Sequence, residues 1–382
     1  MSRVRRLRVL IAGGGTGGHI YPGLAVAVAL RRQGPVELLW VGATRGLERE
    51  LVPREGLDLV TLPVQAFQRR LSWDTLRTVW RAAGALGASR RTLRRFRPDV
   101  VLGTGGYACG PVVLMARLLG IPAIIQEQNA LPGWTNRLLG RWVQLVSLGF
   151  PEAQPYFPPG KVVVTGNPLR PAVLSARRAE GQARFGLDPG RRTLVVFGGS
   201  QGARAINEAT RDALPRLAAR PDLQIVWVTG TRSFPEVQAF LIRQGAAAGE
   251  EPVRLGFLQV FAYLHDLPLA LAAADLAVSR ASAMTLSEMA VRGLPAILIP
   301  LPTAAENHQE RNAEARQAAG AAVMLREAGL TGERLAETVE QLLAEPGRLA
   351  DMAAANRALG RPEAAEAVAK LLRQLGQSHY GG

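Results

Sequence analysis

Four loops in this 382-residue chain carry residue types suited to a charged, sugar-bearing ligand. The first is Gly13-Gly14-Gly15-Thr16-Gly17-Gly18-His19, with a G-x-G-x-x-G pattern at Gly13, Gly15 and Gly18. Glycines there let backbone N–H groups approach a phosphate or a sugar at a helix N-terminus. The second is Gly103-Thr104-Gly105-Gly106-Tyr107-Ala108-Cys109-Gly110-Pro111, and the third is Gly198-Gly199-Ser200-Gln201-Gly202-Ala203-Arg204. Each follows an apolar run and opens a helical pattern. One such loop reads as a tight turn; three, shared between two halves, point to ligand binding. The fourth runs from Ser279 to Glu288, where a strand ends and a helix begins near Ala283. N–H groups at that start suit a diphosphate, helped by the helix dipole. Glu288 reads either as an acid favouring that dipole or as an acceptor for a ribose diol. His19 reads as a general base, its unperturbed imidazole titrating near about pH 6.5, or as a hydrogen-bonded helix-start residue. His308 and Gln309 open another helical stretch and either touch a sugar or face solvent.

Several chemistries are disfavoured. A second strand for NAD ends in Asp or Glu about 20 residues on; here Glu37–Val41 is followed by Gly42-Ala43, although Arg45 stands near enough to serve NADP. No D-x-D pattern offers the acidic clamp for a metal-bound nucleotide sugar. One cysteine and four histidines argue against a structural zinc, and Cys109 alone excludes an intrachain disulfide and suits a reducing cytosol. A spanning helix needs about 20 mostly apolar residues; the most apolar stretch, Val100 to Ile125, is broken by Gly103, Gly105, Gly106, Gly110 and Arg117. The basic N-terminus precedes too short an apolar run for a signal peptide and reads as a first strand.

The loops must be held by elements, and these alternate as in a parallel α/β sheet. The first half reads as strands at Val9–Ala12, Glu37–Val41, Leu59–Leu62, Val100–Leu102, Ala123–Gln126 and Leu145–Ser147. Helices read at Pro22–Arg32, Asp74–Arg95, Pro111–Leu119 and Gly133–Leu139. Six prolines between Pro151 and Pro171 mark a boundary that suits neither helix nor internal strand. Strands then recur at Thr193–Phe197, Gln224–Val228, Val253–Leu255, Leu276–Ser279, Ala296–Ile299 and Ala322–Leu325. Helices recur at Ala203–Ala219, Phe234–Gln244, Met284–Arg292, Glu306–Ala319 and Gly332–Leu343, with two more near Leu349–Leu359 and Glu363–Leu375. The halves echo each other: Arg8–Gly14 resembles Thr193–Gly199, and Pro98–Ile125 resembles Ala274–Leu298. Two Rossmann-like domains, 1–165 and 166–382, are expected, with ligands at the carboxyl ends of the strands.

The charge is lopsided. Of the net +15, residues 1–165 hold +13. Residues 67–97 carry nine arginines and one acid, with Trp73, Leu76 and Trp80 at helical spacing. This reads as a basic amphipathic helix. A solvated arginine face and a nucleic-acid patch are its rivals, but aromatic anchors among arginines with so few acids suit an anionic membrane surface.

Taken together, Gly14–His19, Gly105-Gly106-Tyr107, Glu127-Gln128-Asn129, Gly166-Asn167-Pro168-Leu169-Arg170, Gly198–Arg204, Thr285-Leu286-Ser287-Glu288 and His308–Ala313 resemble the MurG family. These are the bacterial transferases that add N-acetylglucosamine to lipid I. The match covers nearly the whole chain. The resemblance implies a GT-B fold, two Rossmann-like domains across a deep cleft, with the helix near 363–375 packing back on the N-terminal domain. It implies UDP-GlcNAc in the C-terminal domain, lipid I against the N-terminal one, an inverted β-1,4 bond, and lipid II for peptidoglycan synthesis and cell division. Carried onto matching positions, it implies that Leu264 meets the uracil through its backbone. It implies that Ala283, Met284 and Thr285 offer N–H groups to the diphosphate, with Leu286 and Ser287 also in the donor-binding set. Glu288 would then hold the ribose and Gln309 the sugar hydroxyls. Thr16, Gly17, Gly18, Asn129, Arg170 and Ser200 complete the donor set, Gly105, Gly106 and Tyr107 lie on the acceptor side, and His19 takes the proton. Trp73, Trp80, Arg77, Arg81, Arg90, Arg91, Arg94 and Arg95 form the membrane face. No metal, cofactor or nucleic acid is expected, and the protein is expected to sit peripherally on the cytoplasmic face of the plasma membrane. Two departures stand out: Gln126 replaces a frequent histidine, and Ala281-Ser282-Ala283 replaces Ser-Gly-Ala.

Overall fold

The computed structural model describes residues 6–64, 75–199, 201–247, 249 and 251–378, with backbone alone over 75–83. The elements begin with β1 (Leu7–Gly13), α1 (Gly17–Arg32), β2 (Val36–Ala43), α2 (Glu48–Arg54), β3 (Asp58–Leu62), α3 (Thr75–Phe96), β4 (Val100–Gly105) and α4 (Cys109–Leu118). Next come β5 (Ala123–Glu127), α5 (Trp134–Leu139), β6 (Leu145–Leu148), β7 (Val162–Val164), α6 (Pro171–Ser175), α7 (Arg178–Phe185), β8 (Arg192–Phe197), α8 (Arg204–Leu217) and β9 (Leu223–Val228). They continue as α9 (Phe234–Arg243), β10 (Val253–Leu255), β11 (Leu258–Phe261), α10 (Leu267–Ala273), β12 (Leu276–Ser279), α11 (Ala283–Arg292) and β13 (Ala296–Leu298). The last are α12 (His308–Ala318), β14 (Ala322–Met324), α13 (Gly332–Ala344), α14 (Pro346–Leu359) and α15 (Ala364–Ser378).

The chain divides into two units. One is Met1–Arg170 with Arg361–Gly382, and the other is Pro171–Gly360. The first contains one seven-stranded sheet in the order β3-β2-β1-β4-β5-β6-β7, with every pairing parallel. Its central strands are near-continuous apolar runs, as expected of strands covered on both faces. On one face, α1 and α15 pack Leu24, Leu30, Val368 and Leu372 against Val9, Ile11 and Val100. Leu93, Val112 and Val113 join Leu10, Val101 and Ile125 on the other face. The closing segment is fastened to the start of this unit by side-chain bonds. Arg373 Nη2 donates to the carbonyls of Leu30 and Gly34, each at 2.8 Å, and Gln33 Nε2 donates to Glu366 O at 3.0 Å.

The second unit has a seven-stranded sheet in the order β10-β11-β9-β8-β12-β13-β14. Its core joins Val196, Ile206, Trp227, Val278, Ile297, Leu335 and Val339. The correspondence with the first sheet is direct: β1, β2, β4 and β5 match β8, β9, β12 and β13. In each sheet the chain winds outward in both directions from one adjacent pair, β1/β4 or β8/β12. That pair is the topological switch point, where an α/β sheet leaves room for a ligand beyond the strand ends.

The structure corrects several boundaries. The first helix starts at Gly17, not at Pro22, so Gly17, Gly18 and His19 form its first turn. Pro22 lies inside this helix and, lacking an N–H, leaves the Gly18 carbonyl without its usual intrahelical donor. The strand at Val253–Leu255 is present as the edge strand of the second sheet, but its partner was not expected. It pairs antiparallel with Leu258–Phe261, and the latter is the strand that pairs parallel with β9. The proline cluster contains a 3₁₀ turn, Pro151–Tyr156, and the short edge strand β7. The unit division falls after Arg170, five residues beyond the expected 165/166 boundary. The short helices α2, α6, α7 and α10 have no counterpart among the helices expected from sequence.

Candidate active site

In the first unit, three loops meet beyond the carboxyl ends of β1, β4 and β5. Thr16 is the N-cap of α1 (φ −123°, ψ 158°), and its carbonyl accepts the N–H groups of His19 and Ile20 at 3.1 and 3.2 Å. His19 thereby sits one short step into the helix, half-buried, with Nδ1 3.5 Å from Thr16 Oγ1. The second glycine loop presses on the first. A Cβ on Gly105 would stand 2.6 Å from His19 Cδ2, and one on Gly106 would stand 2.2 Å from Gly14 O. Both glycines have positive φ, 101° and 80°, a region L side chains rarely adopt. Tyr107, next along, is 52% exposed.

The third loop is organised by Glu127. Its carboxyl accepts the Asn129 N–H (2.9 Å), Asn129 Nδ2 (3.1 Å), the Gly133 N–H (3.3 Å) and Asn136 Nδ2 (2.8 Å). Burial pushes this carboxyl above its ordinary range, while those donors pull against the shift. Gln126 has a structural task in place of the family's histidine. Its Nε2 donates to Asn167 Oδ1 at 2.8 Å, Asn167 Nδ2 donates to Gln128 O at 3.0 Å, and Gln128 Nε2 donates to Thr104 O at 2.8 Å. The chain of amides ties the end of β5 to β4 and to the Gly166–Arg170 segment. The Arg170 guanidinium lies 4.3 Å from the Tyr21 ring centroid, within cation–π range. Tyr21 in turn packs on Gly17, where a Cβ would stand 2.9 Å from Tyr21 Cε2. The structure therefore gathers Thr16, Gly17, Gly18, His19, Gly105 and Gly106, with Asn129 and Arg170 held by the adjoining networks.

Cys109 begins α4 beneath this site and is fully buried. Burial pushes its thiol up to about 12, and the nearby Glu127 adds to that. The thiolate is the reactive form, so the native protein is expected to resist a disulfide reagent at pH 8. Guanidinium should release one thiol per chain; rapid native labelling would contradict the burial.

In the second unit, the loops after β8, β11, β12 and β13 carry the candidates. Gly202 N–H donates to Gly199 O at 2.9 Å, closing the third glycine loop. Ser200 lies outside the described residues. Leu264 follows β11 with its side chain buried. Helix α11 starts at Ala283, capped by Ser282, whose Oγ accepts the Thr285 N–H at 3.4 Å and donates to Thr285 Oγ1 at 2.8 Å. Ser282 has extended φ and ψ (−72°, 140°), so serine fits where the family has glycine. Ala283 and Met284 offer the leading amides. The Leu286 N–H is bonded to Ser282 O at 3.0 Å and its side chain is in the core. Ser287 turns its hydroxyl back to Ala283 O at 2.9 Å. Both belong to the body of the helix, because intrahelical bonding resumes after the first turn. Glu288 is half-buried on the same helix.

Gln309 is pinned by its carbonyl, which accepts the Leu301 N–H at 3.0 Å and leaves the NH₂ group as a hydroxyl partner. Just before it, Glu306 and Asn307 have positive φ, 53° and 57°. Such strain in non-glycine residues gathers at functional loops. Arg280, inside the fourth loop but given no role from sequence, is buried and donates to Ile299 O and Pro300 O at 3.1 and 3.2 Å, bracing the strand end behind α11. A nearly fully buried arginine beside a serine-capped helix leaves no sequence signal beyond its place at a strand end. Among the described residues no group of three or more His, Cys, Asp or Glu could hold a metal ion.

On the basic surface, Arg90, Arg91, Arg94 and Arg95 are exposed along α3. Helix α4 packs against α3 and ends in Leu118, 68% exposed. Trp73 and the side chains of Arg77, Trp80 and Arg81 lie outside the described residues. No described helix is long and apolar enough to cross a membrane.

Comparison with known proteins gives consistent answers. Residues 9–147 match the glycosyltransferase family 28 N-terminal domain, and residues 193–369 match the family 28 C-terminal domain. A Moorella thermoacetica protein is 47% identical over 368 residues, 96% of this chain and 98% of its own length. A Halalkalibacterium halodurans protein is 43% identical over 370 residues, 97% and 99% of the two chains. Both are named UDP-N-acetylglucosamine--N-acetylmuramyl-(pentapeptide) pyrophosphoryl-undecaprenol N-acetylglucosamine transferase. The crystal structure of Acinetobacter baumannii MurG superposes with a TM-score of 0.75 at 30% identity, covering 96% of this chain and 99% of that one. With both family 28 domains matched and relatives this similar along its length, the chain belongs to the MurG family, a GT-B glycosyltransferase family with two Rossmann-like domains.

Proposed function

We infer that the protein moves N-acetylglucosamine from UDP-GlcNAc to the MurNAc 4-hydroxyl of lipid I, producing lipid II for peptidoglycan synthesis. The observation that carries this is full-length similarity at 43–47% identity to transferases of that name. The placement of the candidate loops at both switch points supports it.

In this reading His19 is the base. With Thr16 Oγ1 beside Nδ1, Nε2 takes the proton of the 4-hydroxyl. The hydroxyl oxygen forms its bond to C1 of the sugar as the C1–O bond to UDP breaks, which inverts C1. Charge then grows on the diphosphate. The leading amides of α11, at Ala283 and Met284, and the Thr285 hydroxyl meet it with dipoles set before the reaction begins, so the leaving group needs no metal. Glu288 accepts from the ribose diol, Gln309 donates to a sugar hydroxyl, and the backbone at Leu264 meets the uracil. Gly105, Gly106 and Tyr107 face the acceptor.

The test is transfer of radiolabelled GlcNAc to a lipid I analogue in EDTA, with an acceptor-free control. Acceptor-dependent transfer in EDTA is expected. Donor epimerised or untouched in the presence of acceptor would overturn the assigned reaction, and transfer restored only by a divalent cation would overturn its metal independence.

The membrane reading rests on exposed arginines on α3 beside the exposed Leu118. A basic residue near an anionic surface contributes about 1 kcal/mol. Changing Arg90, Arg91, Arg94 and Arg95 to Glu is therefore expected to abolish sedimentation with phosphatidylglycerol vesicles at 0.1 M salt, with transfer to a water-soluble acceptor retained. Undiminished vesicle binding would place the membrane face elsewhere, and equal binding of wild type to duplex DNA would favour nucleic acid.

A further inference from the structure

Glu48 is a fully buried carboxyl that none of these roles uses. It enters at the first residue of α2, just beyond β2. Its Oε1 accepts the N–H of Ala43, the last residue of β2, at 2.8 Å. Its Oε2 accepts the N–H of Gly15, at the tip of the first glycine loop, at 2.9 Å. The surroundings are shaped to this side chain. A Cβ on Gly14 would stand 2.3 Å from Oε1, one on Gly42 2.6 Å from Cγ, and one on Gly46 2.2 Å from Oε2. Three glycines at three separate points of the chain thus make room for one carboxyl.

In a dinucleotide-binding domain the acid at the end of the second strand faces a ribose, and the loop amides face a pyrophosphate. Here the acid reaches the end of that strand from the next helix and turns onto the loop itself. The Gly15 amide, the group a phosphate would seek, already has a protein acceptor.

We propose that Glu48 is the positioning residue of the first glycine loop: its carboxyl clamps Gly15 to the end of β2 and so sets the place of Thr16 and His19. The loop needs this clamp because Gly15, at φ 90°, has no atom within 4 Å of where a side chain would be. Nothing packs on it from that side to hold it. Displacing a catalytic group by about 1 Å can cost about 10²-fold in rate. The proposal rests on His19 being the base.

The experiment compares wild type with Glu48→Gln, which keeps the volume but replaces one acceptor oxygen with a donor. Three quantities are measured: kcat for lipid I, UDP affinity by calorimetry, and the ring signals of His19 in protein labelled with ¹⁵N-histidine, which has four histidines in all. The expected result is kcat down about 10–100-fold, UDP affinity unchanged, and the His19 signals displaced. Wild-type kcat with unmoved His19 signals, even with a lower melting temperature, would overturn the proposal. If Glu48→Gln fails to fold, Gly46→Ala pushes on Oε2 from the open end of a flexible side chain, and the same readouts decide. Absent transfer by wild type would count against His19 as base, whereas the His19 signals would still report whether Glu48 sets its position.

Discussion

His19→Ala is expected to lower kcat by about 10²–10⁴-fold, the range a positioned general base contributes, while UDP affinity stays within about twofold. The split follows from where the residues lie. His19 is in the first turn of α1, and the groups read as meeting the uracil, the diphosphate and the ribose, from Leu264 to Glu288, are in the other unit. Losing the imidazole leaves the 4-hydroxyl to deprotonate into water as it attacks. The leaving group is untouched, so donor binding has no reason to change. His19 is half-buried at a helix start, and Ala is the best helix former, so the fold should tolerate the exchange. Steady-state transfer and calorimetry with UDP measure the two quantities separately. A kcat within about threefold of wild type would remove His19 as the base; a parallel loss of UDP affinity would assign it to the donor instead.

The second large effect is on stability. Gly106→Ala places a methyl 2.2 Å from Gly14 O and 3.0 Å from Gly14 C, at a φ of 80°. The neighbour is backbone and cannot rotate aside. Left-handed backbone in an L-residue costs about 1–2 kcal/mol, and overpacking costs about 1–3 kcal/mol. The first unit should therefore lose roughly 2–5 kcal/mol, and most of the activity, because the loop that must move is the one carrying His19. Gly120→Ala is the control. It shares a positive φ of 75° but has nothing within 4 Å, so only the conformational part applies. Five of the six tryptophans precede residue 171, so urea melts followed by fluorescence report mainly on this unit. Equal losses in the two variants would show that the contact with Gly14 relaxes freely.

The two-domain arrangement was legible because buried parallel strands are continuous apolar runs bounded by glycine, and because the pattern restarts after the prolines. Loop chemistry was legible for the same reason: glycines at a strand end announce a close backbone approach. Partnerships across the sheet were not. Glu48 looks like any acid in a charged stretch, Gly46-Leu47-Glu48-Arg49-Glu50. Only the fold reveals that Gly14 and Gly42 are spaced for it. The start of α1 was misplaced because proline usually marks a first turn, whereas here it sits in the sixth position of a helix led by two glycines. The strand Leu258–Phe261 was missed because four residues, two residues after another short strand, offer too few positions to separate it from its neighbour.

The fastening of α15 to α1 and β1 bears on the order of events during synthesis. Val368, Ala369 and Leu372 complete a core whose other members, Val9, Ile11, Leu24 and Leu30, leave the ribosome more than 300 residues earlier. The second unit is translated whole in between. The first unit thus waits with an apolar face uncovered until α15 has been made, a period in which holding chaperones have something to grip. A nascent chain released early would carry a complete second unit beside an unfinished first one. Quality control by proteolysis would then discriminate chains with α15 from chains without it at the segment from Val9 to Leu30, far in sequence from the missing helix.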